Sequence, residues 1–312
     1  MPRIGYSYDM EQPRRTIVIA QLEAPTLRIT PPPMPKLQMA APTPPRLPEP
    51  KMPAETQPKL LVSIATYNER ENIANLIEEI HRYLPHADVL VVDDNSPDGT
   101  GKLVDELAAK DSRIKPYHRP GKLGLGTATL AAMNYAIAQD YEFLQNMDAD
   151  FSHPPRFLPA MMAGMADHDV MIGSRYVKGG GTENWPKIRL VISRTVNSMV
   201  RILFRMPVQD ASGAYRCFRV SNLKRAKLEE TKSRGYSFQQ EVLFRIHRTG
   251  ARLGETPIIF ENRRYGKSKV NSKEAIRSIL MILGLGVQNF FGLDRLTAPV
   301  KRSQVMAPAN PR

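Results

Sequence analysis

Cysteine is almost absent. Cys217 is the only one among 312 residues, so no intrachain disulfide can form and an oxidising compartment has no support. A reduced, cytoplasmic setting is the expectation. The amino terminus also lacks the apolar core of about 7–15 residues that a secretory signal needs. Its longest apolar run, Ile17–Ala20, is far shorter. No stretch supplies the roughly 20 uninterrupted apolar residues of a spanning helix. Tryptophan is equally scarce, with Trp185 alone. There is no basic stripe interleaved with aromatics and no nucleic-acid module signature, which argues against a nucleic-acid partner.

Proline and positive charge are abundant, and both are unevenly placed. Of 27 prolines, 14 fall in the first 58 residues, a density that excludes regular helices and central strands there. Residues 1–58 therefore read as a disordered, Pro-rich tail, with folding expected to begin near Lys59. Residues 1–58 carry 7 basic and 5 acidic side chains, 59–214 carry 17 and 19, and 215–312 carry 20 and 7. The carboxy-terminal third thus supplies the whole net charge of +13. Such a surface suits an anionic partner: nucleic acid, an acidic bilayer face or substrate phosphates.

Hydrophobic periodicity gives the architecture. Leu60–Ala65 reads as a buried strand, and Ile73, Leu76, Ile77, Ile80 and Leu84 then recur at helical spacing. A strand at Val89–Val92, a helix at Thr100–Ala109, a short strand at Ile114–Tyr117, a helix at Thr127–Gln139 and a strand at Tyr141–Met147 follow. This βαβαβαβ order implies an α/β fold with a mostly parallel sheet covered by helices. Ligands of such sheets sit beyond the carboxyl ends of the strands. Further on, the pattern predicts a strand at Val170–Ile172, helices at Ile188–Phe204 and Ser237–Thr249, and a strand at Ile258–Glu261. Residues 276–292 read as an amphipathic interfacial helix, with a core or partner-facing helix as the alternative. Residues 293–312 read as a flexible basic tail.

Several strand ends carry polar groups. Asp148-Ala149-Asp150 follows the fourth strand. Two carboxylates one residue apart repel unless a cation or solvent separates their charges, and Mg²⁺ or Mn²⁺ suits such oxygen ligands. A solvated loop remains the alternative for this motif alone. Tyr67 and Glu69 follow the first strand, and Asp94 the second, where it fits either a ribose or base contact or a turn aspartate. Gly121, Gly124 and Gly126 lack dinucleotide-fingerprint spacing and read as a tight loop before a helix. His153 is expected to be structural. Trp185 fits a ligand groove, an interface or plain packing.

The segments ATYNERENI, VVDDNSPDGT, KLGLGTA, MDADFSHPP, GSRY, DASGAYRCF, GYSFQQEVLFR and RYGKSK occur in this order. Over about Lys59 to Phe291 they resemble the dolichol-phosphate mannose synthases and their prokaryotic polyprenol-phosphate relatives, which are inverting family-two glycosyltransferases. The resemblance implies a GT-A fold over 59–275 and mannose transfer from GDP-mannose to a polyprenyl phosphate with Mg²⁺ or Mn²⁺. It also implies a peripheral place on the cytoplasmic face of the membrane, reached directly or through a separate membrane subunit.

Residue by residue, the resemblance assigns Ala65, Tyr67, Glu69, Val92, Asp94 and Ala149 to the donor. It assigns Asp148 and Asp150 to donor and metal. Arg175 matches an arginine at the donor and acceptor phosphates, Arg263 and Lys269 fall at the donor, and with Asp150 these form the catalytic set; Arg263 and Lys269 match a loop that closes over the phosphates. Arg189, Ser193, Asp210 and Arg216 fall on the acceptor side. Two positions depart from the pattern: Ala65 stands where proline is usual, and Ser152 where some members carry a metal-contacting glutamine. Two other readings stand beside this one. The first is a sister transferase using UDP-glucose or another sugar nucleotide. The second is a non-catalytic scaffold whose Pro-rich tail recruits partners.

A polyprenyl phosphate acceptor is already an oxyanion near neutral pH, so no strong general base is needed. The burden falls on holding anions together with a cation and arginines.

Overall fold

A computed structural model describes residues 58–231, 233, 237–262, 280, 282–284 and 286. All lie within the compact unit Met52–Arg312. The expected tail over 1–58 (Pro58 apart), Arg263, Lys269 and the basic tail over 293–312 lie outside the described residues. Of the expected interfacial helix, residues 280, 282–284 and 286 are described, and they are helical.

The first half follows the periodicity closely. Strand β1 (Leu60–Thr66), helix α1 (Arg70–Tyr83), β2 (Asp88–Asp93), α2 (Thr100–Ala108), β3 (Ile114–His118), α3 (Leu125–Ala138) and β4 (Phe143–Asp148) come in the predicted order. Then follow α4 (Leu158–Gly164), β5 (Val170–Ser174), β6 (Gly181–Thr182), α5 (Lys187–Phe204), β7 (Arg216–Arg219), α6 (Val220–Arg225), α7 (Ser237–Arg248), β8 (Leu253–Pro257) and β9 (Ile259–Phe260).

Seven strands form one sheet in the order β3-β2-β1-β4-β7-β5-β8, and β6 pairs with β9 separately. All of its pairings are parallel except those of β7, which runs antiparallel to both β4 and β5. Strand side chains alternate between two faces, and each face has its own core. Leu61, Leu90 and Leu144 pack with α3, α5, α6 and α7. Val62, Ile64, Val89 and Val91 pack with α1, α2 and α4. Helices on both faces bury both sides of the sheet, which is why its parallel strands are nearly continuous apolar runs.

Two local features shape the functional edge. Gly124 ends the glycine-rich loop at φ 95, a conformation open to glycine and costly for other residues. A Cβ at Gly126 would sit 2.9 Å from the Phe238 ring, so the small residues of α3 let α7 approach closely. Sequence periodicity missed β7 and β8. β7 is four residues long and carries Arg216 and Arg219, a composition that reads as a polar loop until neighbouring strands supply its hydrogen bonds.

Candidate active site

The sheet register brings the strand ends together. Ala65 pairs with Val92 on one side and with Asp148 on the other. Three of the expected donor positions therefore lie in one row across adjacent strands. Beyond this row, Asp93 accepts from Thr66 Oγ1 at 2.9 Å and from the Ser96 backbone N–H at 2.9 Å. Asp98 accepts backbone N–H groups of Arg70 at 3.1 Å and Thr100 at 2.9 Å, tying the turn after β1 to the turn before α2.

Asp94 is engaged more deeply than the sequence suggests. Its side chain is 7% exposed; Oδ1 accepts from Arg119 Nη1 at 2.7 Å, and Oδ2 from the backbone N–H groups of Leu123 and Gly124 at 3.1 and 3.2 Å. The carboxylate thus holds the glycine-rich loop in place, and Arg119 reaches on to Thr127 Oγ1. Arg119 was not identifiable from sequence, because its partner lies 25 residues away. Lys122 from this loop stands over the Tyr67 ring at 4.2 Å, a cation–π contact.

At the end of β4, Asp148 is partly exposed at 31%, while Asp150 is buried and accepts from the Ser152 N–H at 3.1 Å and from its hydroxyl. Phe151, buried directly after Asp150, has φ 64, an uncommon conformation for a bulky residue that its packing must hold. His153 is structural, as expected. Its Nδ1 accepts the Asp148 backbone N–H at 3.0 Å, and its ring stacks on Tyr215 at 4.8 Å. Burial holds its pKa below the ordinary histidine value, against the pull of Asp148 and Asp150. A neutral ring with Nδ1 accepting agrees with that direction.

The donor set suits a hard divalent cation. Two carboxylates lie at the strand edge, and no group of three acidic, histidine or cysteine side chains able to hold a metal occurs among the described residues. Such a partial protein set, completed by substrate phosphates and water, is the usual arrangement for Mg²⁺. Asp148 and Asp150 are the residues that would hold it.

A second, arginine-based centre adjoins the first. Arg175, following β5, donates from Nε to Asp210 Oδ2 and from Nη2 to Oδ1, both at 2.7 Å. Nη2 also reaches Ser212 Oγ at 2.8 Å. Asp210 has no exposure and accepts further N–H groups from Arg175 and Gly213. Burial opposes its ionisation, but Arg175 overcomes this and holds the pKa below the usual carboxylate value. Glu255 fixes the segment by accepting the N–H groups of Gln209 at 2.8 Å and Asp210 at 2.9 Å.

Two of the residues expected on the acceptor side are engaged within the protein. Asp210 grips Arg175. Arg216 is fully buried in β7, where Nη1 and Nη2 donate to the carbonyls of Gln239 and Ala211 at 2.6 and 2.7 Å. Burial pushes its pKa down to about 9, which still leaves it charged at neutral pH. Both residues brace the centre because sheet pairing places β7 between β4 and β5, a position invisible in sequence.

The other residues expected on the acceptor side, Arg189 and Ser193, reach the surface of this centre. Arg189 on α5 is exposed and stands 3.7 Å from the Trp185 ring centroid. Arg175 approaches the same ring at 5.3 Å. Ser193 accepts from the Tyr176 hydroxyl at 2.6 Å. Phe260 lies edge-on to both His153, at 5.5 Å, and Trp185, at 5.3 Å. The His153–Phe260–Trp185 ring series therefore links the paired aspartates to the arginines. Trp185 enters the site through this tertiary packing.

The sequence matches the family described as Glycosyl transferase family 2 over residues 61–227. The chain belongs to that family. A curated relative of this transferase, polyprenol monophosphomannose synthase of Mycolicibacterium smegmatis, is 39% identical over 245 residues, covering 78% of this chain and 92% of the relative. Undecaprenyl-phosphate mannosyltransferase of Micrococcus luteus is 39% identical over 213 residues, covering 68% and 88%. Among solved structures, Mycobacterium tuberculosis glucosyl-3-phosphoglycerate synthase, in complex with Mn²⁺, UDP and its product, matches with TM-score 0.51 and 14% identity, covering 78% of this chain and 82% of that one. A Pyrobaculum calidifontis mannosyltransferase in complex with GDP-mannose and Mn²⁺ matches with TM-score 0.51 and 17% identity, covering 76% and 68%. These likenesses establish the GT-A fold of the transferase.

Proposed function

We propose that this transferase moves mannose from GDP-mannose to a polyprenyl phosphate with inversion at the anomeric carbon, releasing GDP. The observation that carries the reading is the aromatic bridge that sets the Asp148/Asp150 pair beside Arg175 and Arg189. The mannosyltransferase names of both curated relatives support the sugar and the lipid class. The Pyrobaculum structure with GDP-mannose supports the nucleotide.

In this reading Ala65, Tyr67, Glu69, Val92 and Ala149 line the nucleoside side, and Asp94 shapes that side by fixing the glycine-rich loop. Asp148 and Asp150 hold a divalent cation, Mg²⁺ or Mn²⁺. When bound, this ion neutralises the donor diphosphate and the charge developing on the leaving GDP. Arg175, preset by Asp210, and Arg189, stacked on Trp185, hold the lipid phosphate, with Ser193 beside them. Bidentate guanidinium contacts match phosphate geometry. An acceptor oxygen attacks the anomeric carbon while the bond from that carbon to the diphosphate oxygen breaks. The acceptor oxygen is already ionised, so no protein base has to remove a proton. Arg263 and Lys269 complete the catalytic set as expected from the resemblance.

Access to a lipid favours a peripheral position on the membrane, and the resemblance puts it on the cytoplasmic face. Helix α5 exposes Ile188, Val191, Ile192 and Ile202 at 67%, 59%, 53% and 69%. No helix among the described residues is long and apolar enough to cross a membrane. Apolar side chains beside arginines on one helix suit the bilayer interface. Residues 59–275 then form the transferase domain, and 276–292 a further membrane contact.

The test incubates the purified full-length protein with a polyprenyl phosphate, Mg²⁺ or Mn²⁺, and either GDP-mannose or UDP-glucose, and identifies the lipid product by mass spectrometry. Polyprenyl-phosphate mannose from GDP-mannose is expected. A hexosyl lipid formed only from UDP-glucose would replace the donor assignment. No lipid product from either donor would refute the reading.

A further inference from the structure

A cleft of about 240 Å³ lies beside the arginine centre, lined by Tyr176, Arg194, Asn197, Ser198, Arg201 and Gln209. The proposed reaction uses neither of its arginines. Arg194, Asn197, Ser198 and Arg201 follow at i, i+3, i+4 and i+7 of α5, which puts them on one helix face. Tyr176 and Gln209 enter from the segments after β5 and before β7.

The chemistry of this lining is one-sided. It holds two guanidinium groups, a phenol, two amides and a hydroxyl, and no carboxylate. Helix α5 carries Lys187, Arg189, Arg194 and Arg201 and no acidic residue. Arg194 and Arg201 form no ion pair among the described residues. Both are exposed, and Arg194 lies over the Tyr176 ring at 5.8 Å. Asn197, 3% exposed, is held by its Nδ2, which donates to Ser193 O and Ser212 Oγ, each at 3.0 Å, while its Oδ1 has no partner.

We propose that this cleft is a second phosphate-binding site, in which Arg194 and Arg201 clasp a phosphate ester and the polar groups between them meet its hydroxyls. The phosphate belongs either to a membrane lipid other than the acceptor or to a soluble phosphate ester. Two guanidiniums without a carboxylate partner match phosphate oxygens, while the Ser198 hydroxyl and the acceptor Asn197 Oδ1 lie between them for a ligand hydroxyl. The site is separate from the arginine centre but adjoins it: Asn197 and Arg175 share Ser212 Oγ, and Tyr176 bonds Ser193.

The test measures binding alone, so it stands apart from the transfer reaction. The full-length protein is titrated calorimetrically with sn-glycerol 3-phosphate and sedimented with phosphatidylcholine vesicles with or without phosphatidylglycerol. Three variants are compared: R194Q/R201Q, S198F, which fills the cleft without changing charge, and K102Q/K110Q, which removes the same charge from exposed positions elsewhere. R194Q/R201Q and S198F are expected to lose at least about tenfold in affinity, and K102Q/K110Q less than about twofold. Loss confined to the phosphatidylglycerol vesicles identifies a lipid headgroup; loss in both arms shows that a soluble ester suffices, and loss in the titration alone restricts the site to soluble esters. Equal loss in K102Q/K110Q, unchanged binding by S198F, or no binding in either arm by the unaltered protein would overturn the site.

Discussion

Two carboxylate regions flank the proposed reaction centre, and they differ in burial. Asp148 at the end of β4 keeps 31% of its side chain open to solvent, while Asp210 ahead of β7 has none and is chelated by Arg175. A carboxylate that is partly open to solvent at a strand end can be reached by an incoming cation. A closed one, fully compensated by a guanidinium and backbone N–H groups, sets the orientation of its partner. Acidic residues that look alike in sequence thus divide into one open to solvent at a strand end and one sealed against the arginine it orients.

The strongest way to break this contrast is to neutralise each carboxylate in turn. Asp148→Asn should lower the transfer rate by roughly a hundredfold or more while leaving the unfolding midpoint nearly unchanged. Asp210→Asn should lower both, with a stability loss of about 3 kcal/mol or more from the unpaired buried Arg175. Turnover assays with urea unfolding measure the two effects. Similar unfolding profiles for the two variants would erase the distinction.

A smaller effect sharpens the arginine side. Trp185 stacks on Arg189 and faces Arg175, and a cation–π contact contributes about 0.5–2 kcal/mol. Trp185→Leu should therefore raise the KM for polyprenyl phosphate by roughly two- to thirtyfold, with a smaller change in kcat and in the KM for the donor. As Trp185 is the only tryptophan, its emission should change on addition of acceptor and not in an Arg189→Gln variant. A donor-dominated KM change would move Trp185 out of the acceptor side.

The smallest expected effect concerns pH. His81 in α1 and His247 in α7 are both held below the ordinary histidine pKa, chiefly by burial, with His81 Nε2 and His247 Nδ1 lacking partners. The unfolded chain therefore takes up protons that the folded one refuses. Their contribution is fully present above pH 6.5, the ordinary histidine value, and is lost as pH falls from there toward the folded pKa. Thermal unfolding midpoints should decline gently below that pH. The decline should be shallower in His81→Gln and His247→Gln variants; an unchanged slope in both would discard this account.

Much of the nucleotide half was legible in the sequence. The apolar runs Leu60–Ala65 and Val89–Val92 and the amphipathic spacing of Ile73, Leu76 and Ile80 express local periodicity, so strands, helices and strand-end motifs appeared in the right order. Arg119 as partner of Asp94, the antiparallel β7, and the inward turn of Asp210 and Arg216 were not legible. Each depends on partners distant in sequence: Arg175 and Asp210 are 35 residues apart, Arg216 and Gln239 are 23.

The order of strands, helices and polar strand ends was thus determined by the sequence alone, because hydrophobic period and turn residues act over a few positions of chain. Which charges stay open to solvent and which are sealed and paired was decided only by the tertiary structure. Burial and pairing arise when distant strands are hydrogen-bonded into one sheet, and those two quantities set the cost of leaving a charge alone.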